Sequence, residues 1–202
     1  MIRLTTPSDT NALLALAEAT GLFESSQIEE LSQMLNQHFS NAADSQDVWV
    51  TDDENEPVGV VYVAPERMTE GTWNLYLIAI HPDHQKQGRG AALVRHVEQM
   101  LTERGERVLL VETSGLDDFE YVRAFYRKIG YDEEARIRDF YKAGDDKIVF
   151  RKALERDAAV AVSTEQIAIA IATKVKTLLP SRQTPLLDGG CQSEQGVCAS
   201  GF

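Results

Sequence analysis

The chain has 202 residues, a formal net charge of −12, 43% hydrophobic residues and 26% charged residues. This length suits one ordinary domain with a real core, and the composition excludes disorder over the whole chain. No apolar stretch reaches the roughly 18 residues that a membrane span needs, and the N-terminus lacks the apolar core of a signal peptide. The only cysteines are Cys191 and Cys198. The body of the protein therefore has no disulfide framework, and we expect a cytoplasmic protein without a membrane association.

The net negative charge comes from the first third of the chain. Between residues 4 and 66 there are twelve of the 32 acidic residues and no lysine or arginine, and the other 20 acidic residues balance the 20 basic ones. Such a surface makes nucleic acid a poor partner. Two interpretations stay open: a solvated face that keeps the protein soluble, or an electric field that attracts cationic substrates.

Hydrophobic periodicity predicts helices and strands through the first eighty residues. Ser8 or Asp9 is expected to cap the first helix and Ser25 the second, because short polar side chains satisfy the free amides at a helix start. Alternating or continuous apolar runs between polar turns predict the strands. The predicted elements are a strand at 2–5, helices at 8–20 and 25–39, and strands at 47–53, 57–65 and 73–80.

The second half continues with two more helices and three more strands. Gly105 and Gly130 stand where the two helices are expected to end, since glycine readily adopts the left-handed conformation of a C-cap. The order β-α-α-β-β-β-α-β-α-β-β predicts an α/β fold with a mixed sheet over residues 1–153. The predicted elements here are a helix from the glycine segment to about 103, a strand at 107–113, a helix at 117–130, and strands at 133–141 and 146–154.

Residues 154–202 have a different character. A helix over 163–179 is favoured because Ser163 and Gln166 form a capping pattern, although the Ile-Ala alternation of this stretch also permits a strand. After Pro180 the composition turns to glycine, serine, glutamine and proline, which predicts a flexible tail.

Two glycines stand where the third helix is expected to begin, in the segment "HPDHQKQGRGAALV". A Walker A loop does not fit this segment, and a dinucleotide fingerprint fails because Leu93 occupies the place of its third glycine. What fits is the spacing Gln85-x-x-Gly88-x-Gly90. Unobstructed backbone amides at a helix N-terminus form a cradle for a pyrophosphate, and a plain strand-to-helix turn is the alternative.

In this context the sequence resembles the GNAT superfamily of acyl-CoA-dependent acyltransferases. Four segments, "LYLIAIHP", "QKQGRG", "RVLLVET" and "AFYRKIGY", occur in the order that the family uses, within residues 1–153. The resemblance implies a mixed, mostly antiparallel central sheet flanked by helices, with acetyl-CoA as co-substrate. It implies that the pantetheine arm pairs with the backbone of Ile78, Ala79 and Ile80, and that the pyrophosphate lies on Gln85, Lys86, Gln87, Gly88, Arg89, Gly90 and Ala91.

Transfer of an acyl group to an amine needs a base for the amine, and it benefits from an acid for the leaving thiolate. Tyr126 stands where similar enzymes of the family place a catalytic tyrosine, and a tyrosine has a higher pKa than a thiol. Glu112 closes an otherwise apolar strand and resembles the glutamate that several N-terminal protein acetyltransferases carry there. Trp73, Asn74 or a chain of water molecules could serve as the base instead.

The acceptor site is expected from two segments. In similar proteins the first two helices and their connecting loop form one wall of the acceptor groove, which here contains Phe23, Glu24 and Glu29. The segment "GYDEEARIRDFY" resembles the bacterial ribosomal-protein alanine N-acetyltransferases, in which an aromatic pair helps to hold a peptide N-terminus. This resemblance assigns Tyr141 to the acceptor.

The expected function is therefore an acetyl-CoA-dependent N-acetyltransferase that works by direct attack in a ternary complex. Its acceptor is expected to be a cationic amine, either a small molecule or a protein N-terminus. A non-catalytic acyl-CoA-binding module is the alternative, and a homodimer is one of the assemblies left open. His81 and His84 are three residues apart, but no third ligand completes a metal site.

Overall fold

The computed structural model describes residues 1–21, 23–41 and 45–155, which lie within one compact unit, Met1–Arg156. The predicted helix at 163–179, the predicted tail and both cysteines lie outside the described residues. The succession of helices and strands is the one expected from the sequence. It consists of β1 (Ile2–Leu4), α1 (Thr10–Thr20), α2 (Ser25–Ser40), β2 (Val48–Asp53), β3 (Pro57–Pro65), β4 (Thr72–Ile80), α3 (Arg89–Arg104), β5 (Val108–Ser114), α4 (Glu120–Lys128), β6 (Asp132–Lys142) and β7 (Asp145–Ala153).

The strands form one seven-stranded sheet in the order β1-β2-β3-β4-β5-β7-β6. Every neighbouring pair is antiparallel except β4 and β5, which run parallel. A parallel pair needs a crossover, and α3 supplies it between these two strands. This mixed, mostly antiparallel sheet flanked by helices confirms the predicted fold class.

Helices cover both faces of the sheet and create two separate cores. We call the first the α3/α4 core; its members include Leu93, Val97, Val111, Tyr126 and Phe150. We call the second the α1/α2 core; it joins buried side chains of both helices to the other face of β2, β3 and β4, and its members include Leu13, Leu16, Leu31, Leu35, Trp49, Val60 and Ala79. Among the described residues, no helix has the length and apolar character that crossing a membrane requires.

The start of α1 is fixed by an ion pair rather than by a side-chain cap. Asp9 directly precedes the helix, and its carboxylate accepts hydrogen bonds from the Arg3 guanidinium at 2.7 and 2.9 Å and from the Thr6 amide at 2.7 Å. The prediction that Ser25 caps α2 was wrong, because Ser25 is the first helical residue and Glu24 is the N-cap. The Glu24 amide donates to the side chain of Gln27 at 2.9 Å, which closes the first turn.

Candidate active site

The two parallel strands pair over only part of their length. The last paired residues are Leu75 of β4 and Val111 of β5, although both strands continue beyond them. Just past this point β4 carries a bulge, since Leu75 and Leu77 pair with consecutive residues of β3 and leave Tyr76 without an opposite partner. A bulge bends its strand, so β4 turns away from β5. The result is a split between two adjacent strands.

The split exposes one edge of β4 along Ile78, Ala79 and Ile80. On their other side these residues pair with Val61, Val60 and Gly59 of β3. A strand edge without a neighbour presents amides and carbonyls that an extended ligand can bind. The structure thus gives these three residues the geometry that backbone recognition of a pantetheine arm requires.

A glycine loop leads from the end of β4 to α3. The side-chain amide of Gln85 donates to the Ile80 carbonyl at 3.1 Å, and that of Gln87 donates to the Asp83 carbonyl at 3.0 Å, so both glutamines tie the loop to itself. Gly88 is the N-cap of α3, with φ at 81° in the left-handed region. A Cβ built at Gly88 would meet no protein atom within 4 Å. The backbone conformation therefore explains this glycine, and the space before it is open.

The helix that follows presents a row of free amides. Its first hydrogen bond runs from the Ala92 amide to the Gly88 carbonyl at 3.0 Å. The amides of Arg89, Gly90 and Ala91 precede that bond, so the helix itself provides no acceptor for them. Together with the helix dipole, such amides attract an anion such as a diphosphate.

Two cationic side chains belong to this loop, Lys86 and Arg89. The Arg89 guanidinium donates to the Asp52 carboxylate at 2.9 Å and also contacts Glu54, so its charge is neutralised within the protein. Its contribution to a phosphate site is therefore its backbone amide. Lys86 lies in the exposed part of the loop with φ at 59°, and its ammonium forms no ion pair within the described residues.

Tyr126 lies in the α3/α4 core and is only 2% exposed. Its ring packs edge-on against Phe125 and Tyr131, with centroids 5.1 and 5.5 Å away, and lies 5.6 Å from the ring of Phe150. Burial raises the pKa of the Tyr126 hydroxyl well above its ordinary value. The hydroxyl therefore stays protonated at neutral pH, as a proton donor must.

Glu112 lies on the other face of the sheet. It follows Val111, a member of the α3/α4 core, and successive side chains of a strand alternate between faces. The Glu112 carboxylate forms an ion pair, because Lys147 Nζ lies 2.7 Å from Glu112 Oε2. The Glu112 side chain is 32% exposed, so it is paired and still accessible to solvent. Tyr126 and Glu112 thus flank the split from opposite faces.

An aromatic pair lies beside Glu112. The rings of Phe140 and Tyr141 meet edge-on with centroids 5.1 Å apart, and both side chains are about half exposed. The Lys147 ammonium lies 3.5 Å from the centroid of the Phe140 ring. Burial, followed by the charge of Glu112, raises the pKa of Tyr141. The structure therefore brings Tyr141, assigned to the acceptor from the sequence, to the candidate base.

Asn74, named from the sequence as an alternative base, lies here with two residues that the sequence did not single out, Glu66 and Tyr76. Glu66 Oε1 accepts hydrogen bonds from the Tyr76 hydroxyl and from the Asn74 amide, both at 3.0 Å. Burial and Glu66, with a smaller contribution from Glu112, raise the pKa of Tyr76. The signal that could have revealed Tyr76 was a second polar-tipped side chain, two residues after Asn74, inside the otherwise apolar strand "WNLYLIAI".

The remaining predicted acceptor residues lie on α2 and the loop before it. Phe23 is partly buried and packs against the α1/α2 core, whereas Glu24 and Glu29 are exposed. None of the contacts described for these three residues joins them to Glu112 or to Tyr141.

A groove of about 540 Å³ lies towards the start of β4 and shares Glu66 with the region around Tyr76. It is formed by the start of β4, the end of β3 and the end of α3, and its acidic lining includes Asp47, Glu66, Glu70 and Glu106. Tyr126 and Glu112 are not part of it. Within the described ranges, no three histidine, cysteine or acidic side chains converge as metal ligands would.

The comparisons with known proteins agree with this geometry. A sequence model of the GNAT acetyltransferase domain matches residues 44–133. The crystal structure of a GNAT-family protein from Desulfovibrio desulfuricans superposes with a TM-score of 0.73 at 31% identity, over 77% of this chain and 99% of the other. The matched model and this superposition define the class of the protein as an acetyltransferase. The chain belongs to the GNAT family of acetyltransferases.

Two further comparisons match named acetyltransferases, one over part of its sequence and one in its fold. The [ribosomal protein bS18]-alanine N-acetyltransferase of Escherichia coli K12 is 33% identical over 73 residues, which are 36% of this chain and 48% of that enzyme. The chain thus spans about half the length of the curated relatives it matches. An aminoglycoside 6′-N-acetyltransferase complexed with coenzyme A shares the fold, with a TM-score of 0.63 at 19% identity over 78% of this chain and 98% of the other. Members of the family use acetyl-CoA as the acyl donor.

Proposed function

We propose that the protein is an N-acetyltransferase that moves the acetyl group of acetyl-CoA to a primary amine. The observation that carries this proposal is the split between β4 and β5, with Tyr126 on one face, Glu112 on the other and a row of free amides at its end. Residues 1–153 form the catalytic domain in this proposal, and residues 154–202 form an extension. We place the activity in the cytoplasm, because the catalytic domain contains no cysteine.

In the proposed reaction both substrates are bound together and the amine attacks the thioester directly. Glu112 takes a proton from the acceptor ammonium, which makes the nitrogen nucleophilic. A backbone amide in the stretch Ile78–Ile80 stabilises the negative charge that develops on the thioester oxygen. Tyr126 gives a proton to the departing thiolate, and its buried hydroxyl is protonated in the resting state.

A cationic acceptor fits the charges of this region. Glu66 and Glu112 lie beside Tyr76, Glu24 and Glu29 are exposed on the same side of the sheet, and the first third of the chain has almost no positive charge. Related proteins are named for a ribosomal-protein alanine and for an aminoglycoside, so the family accepts both protein and small-molecule amines. Each exposed ion pair would contribute about 1 kcal/mol or less, and several together would also increase the rate of capture.

One observation favours a second candidate, a non-catalytic acyl-CoA-binding module. Glu112 is already paired with Lys147 at 2.7 Å, so in this state its carboxylate is occupied by an internal cation. A module of this kind would bind acetyl-CoA and show no turnover. Both candidates share the donor site and differ in whether Glu112 becomes available to an acceptor.

Two measurements, made one after the other, test the proposal. Acetyl-CoA at millimolar concentration should raise the melting temperature, because a ligand that binds only the folded state stabilises it. A panel of amines, polyamines and peptides with basic N-termini should then gain an acetyl group by mass spectrometry. A protein that is not stabilised by acetyl-CoA contradicts both candidates, and stabilisation without acetylation of any amine supports the binding module.

A further inference from the structure

Lys147 occupies the place beside Glu112 that the proposed reaction assigns to the acceptor amine. Its Nζ lies 2.7 Å from Glu112 Oε2 and 3.5 Å from the centroid of the Phe140 ring. The residue is only 8% exposed. A primary amine is thus already bound to the candidate base, next to the split between β4 and β5.

The sheet holds this amine in a fixed position. Lys147 of β7 pairs with Ser114 of β5 on one side and with Ile137 of β6 on the other. Glu112 pairs with Val149, two residues further along β7, so the two charged side chains share one face. A nucleophile on a strand that is paired on both sides loses little further conformational freedom on reaction, which is the advantage of an intramolecular reactant.

A purely structural ion pair would look different, and the same strand contains an example. Lys152 Nζ bonds to Glu98 at 2.8 Å and donates to the Ile129 carbonyl at 3.1 Å, so backbone and carboxylate both hold it. It lies on the α3/α4 side of the sheet, away from Glu112. Lys147 has the carboxylate and a ring face as its described contacts, and neither is a backbone group. Lys152 is therefore a matched internal comparison for Lys147.

We propose that Lys147 is itself an acetyl acceptor and that the enzyme acetylates this lysine when no external amine is bound. This inference rests on the proposed function, since it uses the same donor, Glu112 and Tyr126. It makes Lys147 a modification site within the active site.

Glu112 removes one proton from the Lys147 ammonium, and the nitrogen lone pair attacks the thioester carbonyl carbon. The new N–C bond forms, the C–S bond breaks, and Tyr126 protonates the departing thiolate. The second proton lost from the nitrogen restores Tyr126, and Glu112 releases its own proton to water. The products are Nε-acetyl-Lys147, the free thiol of coenzyme A and one proton.

The modification would change the site by removing a positive charge. An acetylated lysine is neutral and no longer forms an ion pair with a carboxylate. Glu112 would then lose its internal partner and become available to the ammonium group of an external acceptor.

The test is to incubate the full chain with acetyl-CoA alone and to follow acetylation by intact mass and by peptide mapping. Lys147 should be modified at least about tenfold faster than Lys152 and the exposed Lys128, which report chemical acetylation. Its rate constant should not depend on protein concentration, because the reaction is intramolecular. Glu112→Gln should slow the acetylation of Lys147 and leave the rate of acetylation of Lys128 unchanged. Lys147→Arg should abolish the fast acetylation of the chain, in a protein whose circular dichroism spectrum is unaltered.

Three results would overturn the inference. If the protein acetylates an external amine but modifies Lys147 no faster than Lys128, the inference is wrong and the proposed function stands. A rate constant that rises with protein concentration shows transfer between molecules and contradicts an internal reaction. A protein that neither binds acetyl-CoA nor acetylates any amine contradicts both proposals.

Discussion

Leu75 and Val111 are the last residues through which β4 and β5 pair, and β4 continues for five residues beyond this point, to Ile80. The opening between the strands is therefore a property of the sheet and not of a loop. The bulge at Tyr76 bends β4 and thereby determines where along the strand the opening begins. Because backbone groups line the edge, recognition there depends on strand geometry more than on side-chain identity.

Gly88→Ala should weaken acetyl-CoA binding. The left-handed backbone at this position costs alanine about 1 kcal/mol or more, and the new methyl group would project into the open space before the amides of α3. We expect a dissociation constant on the order of tenfold higher, which corresponds to 1.4 kcal/mol. Isothermal titration calorimetry with acetyl-CoA measures it.

Gly130→Ala is the matched control for this variant. Gly130 also has a positive φ, at 90°, and its Cβ would likewise meet no protein atom within 4 Å, but it lies at the end of α4. Both variants should lose a few degrees of melting temperature, and only Gly88→Ala should lose affinity. An equal loss of affinity in the two variants would argue against a pyrophosphate at the glycine loop.

Tyr126→Phe should lower kcat by about tenfold or more with little change in acetyl-CoA affinity, because only the proton for the thiolate is removed. Tyr131→Phe is its control, since Tyr131 is buried in the same ring cluster. We expect normal kcat for that variant. Burial raises the pKa of Tyr126, so the wild-type rate should show no loss from its ionisation up to the ordinary tyrosine pKa of about 10. Equal kcat in Tyr126→Phe and wild type at saturating acceptor would exclude the tyrosine as the acid.

The fold could be predicted from the sequence because its signals are local. The amphipathic pattern of "SSQIEELSQMLNQHF" and the apolar run "VLLV" each specify an element through spacing alone. Helix ends at Gly105 and Gly130 were likewise predictable, since both glycines adopt the left-handed conformation expected after a helix. The resemblance of short segments to a known family then supplied the arrangement of the sheet.

The charged pairs of the site could not be predicted, because they depend on strand register. Glu112 and Lys147 are far apart in sequence and meet because β5 and β7 pair with Ser114 opposite Lys147. A shift of one residue would place Lys147 on the other face of the sheet. No residue in "WNLYLIAI" signals the bulge at Tyr76, so the position of the split could not be predicted from the sequence either.

Stability in acid should depend on Asp9. The hydrogen bonds from Arg3 are the main reason that the pKa of Asp9 is lowered to about 2, from 3.8 in an unstructured chain. The unfolded state therefore binds the proton more readily, and the contribution of about 2 kcal/mol is present above pH 4 and lost as the pH falls towards 2. Asp9→Asn should reduce the free energy of unfolding by about this amount at neutral pH and flatten its acid dependence.

Urea unfolding at several pH values measures this contribution. Asp83→Asn is the control, because the Asp83 side chain is 85% exposed and should change stability little. If Asp9→Asn retains the same steep loss of stability below pH 4, another carboxylate carries the acid sensitivity.

Glu112→Gln should abolish most of the activity and also destabilise the protein, since it leaves the Lys147 ammonium without its carboxylate. We expect a loss of about 1–3 kcal/mol of unfolding free energy, below the range for a fully buried pair because Glu112 is partly exposed. The double variant Glu112→Gln/Lys147→Met should regain part of this stability and none of the activity. A double variant with near wild-type kcat would leave water as the base.

Glu66→Gln tests which acidic residues attract the acceptor. A glutamine oxygen can still accept the hydrogen bonds from Tyr76 and Asn74, so the substitution removes charge and leaves the local structure in place. For a cationic acceptor we expect KM to rise about fivefold, which corresponds to about 1 kcal/mol, and the dependence of KM on salt to weaken.

Glu29→Gln changes the same charge on the exposed face of α2, where no described contact joins it to Glu112. It should change KM less than twofold if recognition is local to β4, because a well-exposed charge is screened by solvent and salt. Steady-state kinetics from tens to hundreds of millimolar salt separate the two cases. An equal effect of both variants would indicate a diffuse attractive field from the whole acidic third, and no effect of either would mean that this charge serves solubility alone.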